Sequence, residues 1–190
     1  MTLIKIQEPA RMIDHAIPQF GLWRLGFRPF YSIAALFACL AILAWGVQFL
    51  GWFDLSPKID IFWHAHEMTF GFAIAVIVGF LYTAARNWTG LDTPVQGKLI
   101  GIVLCWLAAR LAMLLLPAWM VMWIDGIFLP IAILPLAQVI IKKRNQRNYG
   151  LLVILTALAL LNIGYHAARL HWLSTSPLLF IHAAILWIVV

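Results

Sequence analysis

Residues 62–68 read FWHAHEM, which places His64, His66 and Glu67 within four consecutive positions. Two imidazoles and a carboxylate are the side chains that bind transition metals and pass protons. The next sixteen or so residues, up to Arg86, carry no charge, so this group stands at the mouth of an apolar run. Ionisable groups at such a depth cost a few kcal/mol each unless partnered, which marks them as functional candidates. His64 and His66 are two residues apart, ~200° around a regular helix. They therefore serve two different sites, or the helix is irregular there. His64, Met68 and Gly71 share one face, and His66 lies with Phe70 and Ala73. Glu67 is suited to orienting a ligating imidazole and fixing its tautomer.

A second set follows later in the chain. Asn162, His166 and Arg169 recur at helical spacing, with His171 ~140° away from His166. His182 comes after the turn around Ser174–Ser176, at a depth similar to that of His166. Arg110 and Asp125 flank Pro117-Ala118 at nearly equal distances. A helical hairpin sets them at one depth, ~10 Å below its turn, where they make a buried ion pair. Imidazoles on facing helices are a common means of holding haem iron or copper. His64, His66, His166 and His182, with Arg110 and Arg169, are thus the candidate cofactor-binding residues. His64, His66, His171 and Met68 are the candidate metal ligands, with Glu67 and Asp125 supporting them. An isolated interfacial histidine is also an ordinary feature of membrane proteins, and His15 and His171 fit that description.

The elements that position these residues are helices. Of 190 residues, 64% are hydrophobic and 11% charged, against ~25% charged in soluble domains. Apolar residues run in blocks and do not alternate, which predicts an all-α polytopic bundle and not a barrel. Six apolar segments are expected, near 30–52, 62–85, 99–116, 119–141, 151–172 and 177–190. A span needs ~20 residues, and the sixth has only 14. The expectation is a single membrane domain, with the last span truncated, that is a piece of a longer protein. No cleavable leader is evident among the first 28 residues.

Orientation follows from the basic residues. With the N-terminus in the cytoplasm, Lys5, Arg11, Arg24, Arg28, Arg86, Lys98, Lys142, Lys143, Arg144 and Arg147 all face inward, 10 of the 13. The net charge of +6 is then a topogenic bias, and a nucleic-acid partner is not expected. In this topology five of the six histidines, both span arginines and both acidic residues within spans share the outer half of the bilayer. Other chemistries lack their motifs. Cys39 and Cys105 are isolated and mid-span, with no CxxC pair and no haem-attachment sequence. No phosphate-binding loop, dinucleotide fingerprint or zinc-protease motif is present.

Three stretches together resemble the NnrS family: LWRLGFRPFYSIAALFA (22–38), FWHAHEMTFGFAIAVIVGFLYTAARNWTG (62–90) and WLAARLA (106–112). The most specific is WHAHEM-x-FGF followed by GFLYTA and NWTG. The residues that match are Arg28, Pro29, His64, His66, Glu67, Met68, Gly71, Asn87, Trp88 and Gly90. The resemblance implies a bacterial inner-membrane protein of about twelve spans, of which this chain would be the N-terminal half. It also implies haem b and copper as cofactors, and a link to nitric oxide metabolism, in denitrification or nitrosative-stress defence. His64 and His66 carry over as metal or haem ligands.

Three functions are then to be distinguished. The first is a haem- or copper-binding protein that handles nitric oxide or a related small molecule, with an electron donor that no residue identifies. The second is a transporter, which needs a polar path through the inner halves of the spans. Those halves offer only Tyr82, Thr83 and Thr156. The third is a structural membrane subunit without a cofactor. Whether any reaction is catalysed is left open by the sequence.

Overall fold

The computed structural model describes residues 21–189. Lys5, Arg11 and His15 lie outside the described residues, as does Val190 at the end of the sixth segment. Five helices are long and apolar enough to cross a membrane: α1 (Phe27–Phe49), α2 (Ile61–Thr89), α3 (Gln96–Leu115), α4 (Ala118–Lys142) and α5 (Tyr149–Arg169). A shorter apolar helix, α6 (Pro177–Val189), follows. Among the described residues there is no strand. The chain is a multi-span helical membrane protein.

Helix α2 is central and packs on both α1 and α4; α5 joins α4 to α6. Its start is set by Asp60, whose carboxylate accepts the Trp63 N–H at 2.7 Å, a side-chain cap for an otherwise unpaired donor. Its end is set by Gly90, which takes the left-handed conformation (φ 65°) that closes helices. The helix therefore runs four residues beyond the predicted boundary at 85. The larger departure from expectation is internal. Residues Glu67–Ala73 form a π-helical segment, closed by a bond from the Ile74 N–H to the Thr69 carbonyl. A π turn holds more residues than an α turn, so faces counted at 3.6 residues per turn no longer hold across it.

Helix α4 starts at Pro117-Ala118, as the sequence predicts, but is interrupted at Ile127. Pro130 has no N–H to offer the Gly126 carbonyl four residues earlier, which loosens the ladder there. Asp125 sits just before this break.

Toward one end of the bundle the interior is apolar. Phe30, Ile74, Val78, Tyr82, Leu99, Leu136 and Leu158 are buried together. The helix ends and loops at this end carry Arg86, Lys98 and Lys142–Arg147, and we refer to it as the basic end. The opposite, histidine end holds the α1–α2, α3–α4 and α5–α6 connections. Outward faces are covered by exposed apolar side chains, such as Leu36, Leu40 and Leu43 on α1 and Val153 and Leu160 on α5. Lipid is as apolar as these residues and solvates them without penalty.

Candidate functional site

The polar residues at the histidine end meet in one buried cluster. His66 and Glu67 are both fully buried, although they are consecutive. They stand where the α turns of α2 give way to the wider π turn, and both reach the interior. Arg110 on α3 donates from Nη1 to Glu67 Oε2 at 2.7 Å and from Nη2 to Asp125 Oδ1 on α4. The Arg110–Asp125 pair anticipated from the hairpin is therefore present, and Glu67 joins it. On α5, Asn162 Nδ2 donates to Asp125 Oδ2 at 2.8 Å, and His166 Nε2 lies 2.9 Å from the same oxygen. His66 Nδ1 faces Glu67 Oε1 at 3.2 Å. His66 Nε2 faces Asn162 Oδ1 at 2.8 Å and Asp125 Oδ2 at 3.3 Å. Four helices thus converge on six polar side chains.

Aromatic side chains and a glycine pack closely around the cluster. Gly71 lies against it: a Cβ there would stand 2.8 Å from Glu67 Oε2 and 2.9 Å from Arg110 Nη1. The Trp106 indole donates to the Gly71 carbonyl at 3.0 Å, and the Arg110 guanidinium stands 5.9 Å from the Trp106 ring. Tyr165 packs on His66 with ring centroids 4.5 Å apart and spends its hydroxyl hydrogen on the Phe62 carbonyl at 2.9 Å.

Hydrogen-bond accounting constrains what the cluster holds. A carboxylate only accepts, so the His66 Nδ1 that faces Glu67 carries hydrogen. Asn162 turns its amide nitrogen to Asp125, so its oxygen faces His66 Nε2. That nitrogen must then carry a second hydrogen or bind a metal ion. Charge gives the same answer. Glu67 and Asp125 bring two negative charges and Arg110 one positive, so one positive charge is still needed. A proton on His66, or a metal ion in its place, supplies it. The nitrogens of His66 and His166 and a carboxylate oxygen of Asp125 all lie within 4.8 Å of one another. Two imidazoles and a carboxylate suit copper, zinc, iron or nickel, and Asn162 Oδ1 adds a fourth acceptor.

The remaining candidate residues are dispersed. His64 points away from His66, as their spacing predicts. Its ring stacks on Trp45 with centroids 4.1 Å apart, and its Nδ1 is buried without a partner. Met68 belongs to a small apolar cluster with Ala41, Ile59 and Trp63. Arg169 pairs with Asp60 at 2.8 Å and lies over the Phe62 ring at 5.3 Å. His171 is exposed in the α5–α6 turn with a left-handed backbone (φ 59°). His182 is exposed on α6 and is not brought to His166. The Asp60–Arg169 pair was not anticipated; a capping aspartate just before an apolar run was the available signal.

A macrocycle is a different matter from an ion. Cofactor-sized groups need pockets of ~300 Å³ or more. The cavity beside His166 measures about 100 Å³. The roomier crevice, about 800 Å³, lies between the α2–α3 loop and α4 and is lined by no histidine. The described residues therefore fit a metal ion between His66, Asp125 and His166, whereas neither of these two spaces joins haem-sized room to a histidine, and no step is derived through haem.

Comparison with known proteins adds one finding. A family model described as NnrS protein matches residues 21–190. No curated protein matches the chain, and no solved structure does.

Proposed function

The chain belongs to the NnrS family, and from that premise we propose that it is a copper-binding protein of the bacterial inner membrane that acts in nitric oxide metabolism. The observation that carries the metal is the convergence of His66, Asp125 and His166, from three helices, at full burial. Family membership supports the nitric oxide link and the bacterial inner membrane. The excess of basic residues at the other end supports placing the histidine end on the periplasmic side.

Copper in this place would supply one-electron redox chemistry and a binding position for a small molecule. The chain's own residues do the rest. His66 and His166 offer nitrogen, and Asp125 and Asn162 offer oxygen. Glu67 holds the His66 ring through Nδ1, leaving Nε2 for the ion. Arg110 neutralises the carboxylates, so the cluster reaches neutrality with one added positive charge. Tyr165, Trp106 and Phe70 pack around the cluster.

A second reading rests on a specific observation. With both hydrogens on His66, the imidazole, amide and carboxylate groups of the cluster are all hydrogen-bonded without a metal, and the Arg110 Nε–H is left unpartnered; that arrangement suits a structural clamp. Metal analysis of copper-loaded, detergent-purified protein separates the two, with wild type beside His66→Gln, His166→Gln and His182→Ala. The expected result is one copper per chain in wild type and His182→Ala, and loss in the other two. A folded wild type that retains no copper after loading, or copper unaffected by both glutamine variants, refutes the metal reading.

A further inference from the structure

The crevice of about 800 Å³ lies at the basic end, between the α2–α3 loop, the first turns of α3 and the second half of α4. Its α3 wall runs from Gly97 to Cys105, and its α4 wall from Ile131 to Val139. Each wall is ~12 Å long at 1.5 Å per residue, against ~15 Å for one leaflet of the hydrocarbon core. The crevice is thus nearly one leaflet deep. A Cβ on Gly97 or Gly101 would meet nothing within 4 Å, so both glycines border the open space. The walls are mainly apolar, through Ile102, Ile131, Leu134, Pro135 and Val139. A void forfeits the contacts of the atoms that line it, so in a bilayer this space is filled by an acyl chain or by the side of another helix.

Charge decides between the two. Lys98 lines the crevice. Lys142 stands one turn beyond Gln138, another lining residue, on the same side of α4. Lys143 and Arg144 follow directly, and all of these cations are exposed. The acid at the mouth, Asp92, is already engaged by Arg86 at 3.1 Å. The mouth therefore carries a net positive charge. A further transmembrane helix brings basic residues of its own to this end, which sets like charges together. An acidic headgroup brings the complementary charge, and basic pockets between helices on this side of a membrane are where such headgroups bind.

We propose that this crevice holds one anionic phospholipid from the leaflet at the basic end, with an acyl chain between α3 and α4 and the phosphate at Lys98 and Lys142. The volume falls in the range of ~300–1,000 Å³ found for pockets that take a whole small ligand. The apolar walls hold the chain, and the lysines read the headgroup. No residue of the crevice belongs to the copper ligand set, so the site does not depend on the metal.

The experiment is native mass spectrometry of delipidated protein in detergent, titrated with phosphatidylglycerol and, separately, with phosphatidylcholine of the same acyl chains. One phosphatidylglycerol is expected to bind saturably, about ten-fold tighter than phosphatidylcholine. Lys98→Gln removes one cation at an exposed position and should weaken phosphatidylglycerol about five-fold while leaving phosphatidylcholine unchanged. Gly101→Leu fills the crevice, suits a helix better than glycine does, and should lose both lipids. Circular dichroism confirms that each variant is folded, and Lys98→Gln carries the test by itself if Gly101→Leu is not. Absence of saturable binding to the folded wild type overturns the proposal. Equal affinity for the two lipids does so too, because the headgroup is then not read. Phosphatidylglycerol binding unchanged in either folded variant also overturns it, since the lipid would then sit elsewhere. So does a wild type that dimerises without lipid while Gly101→Leu stays monomeric, because a second copy would then occupy the crevice.

Discussion

Toward the basic end, α2, α4 and α5 meet through Val78, Leu136 and Leu155, and the main polar contact among the helices is the Tyr82 hydroxyl on the Ala132 carbonyl at 2.9 Å. Toward the histidine end, the same three helices meet through His66, Asp125 and Asn162. In lipid the first kind of contact gains little beyond close packing, since apolar side chains are as content against acyl chains. The second kind is different. A buried carboxylate or guanidinium has no acceptable alternative outside its partners, so the polar cluster specifies how the helices are set against one another, while the apolar end tolerates variation. The contrast also locates function: among the described residues, the buried charged side chains that can partner an ion or a proton lie at the histidine end.

The largest test of this contrast is Arg110→Met. It leaves Glu67 and Asp125 buried with one fewer cation, and breaking a buried pair from one side costs ~3–5 kcal/mol. The expected outcome is a large fall in the SDS-denaturation midpoint and in the yield of monodisperse protein; a variant as stable as wild type would mean that the cluster does not hold the helices together.

Two glycines sharpen the comparison at intermediate size. In Gly71→Ala the new methyl group meets Glu67, Arg110 and Phe37 at 2.8–2.9 Å. In Gly79→Ala it meets the Phe30 Cβ at 2.7 Å, at the α1–α2 crossing. Overpacking of this kind costs ~1–3 kcal/mol. Both variants should lose stability in the same denaturation assay, but only Gly71→Ala should lose copper as well. Equal copper retention in the two would break the link between the π segment and the site.

Smaller effects are expected from single polar groups that stand alone. Tyr82→Phe removes one interhelical bond at the apolar end and should cost ~0.6 kcal/mol, the average for such bonds in membranes. His182→Ala changes an exposed side chain and should stay within about 0.5 kcal/mol of wild type, with copper content unaltered. A large effect of His182→Ala would show that the exposed face of α6 is engaged in the protein at work.

Much of the polar layer was legible beforehand. The depth of Arg110 and Asp125 followed from counting residues on both sides of Pro117-Ala118, and the hairpin sets them in contact. Asn162 and His166 followed from helical spacing on α5. The divergence of His64 from His66 followed from their separation by two, and the structure sends one to Trp45 and the other to Asn162. What counting missed has a common cause. The π segment shifts the register of α2 partway along its length. Faces assigned at 3.6 residues per turn grouped Gly71 with His64 and Met68, whereas it lies against Glu67 and Arg110. The Asp60–Arg169 pair joins residues more than a hundred positions apart, so the local pattern could mark the capping aspartate but not its partner.

The sequence by itself determined that this is a helical membrane protein with most of its histidines, and the arginines and acidic residues within its spans, toward one end. Composition, run length and turn position are local properties, and the bilayer converts them directly into helices and depths. It also carried the family, through WHAHEM-x-FGF and NWTG. Only the tertiary structure decided which of those residues meet. Rotation of each helix about its axis depends on packing against its neighbours, on the π turn and on the break before Pro130. Those rotations brought His66 and His166 to Asp125 and left His171 and His182 exposed. Depth is written along one helix, but contact is a relation among several.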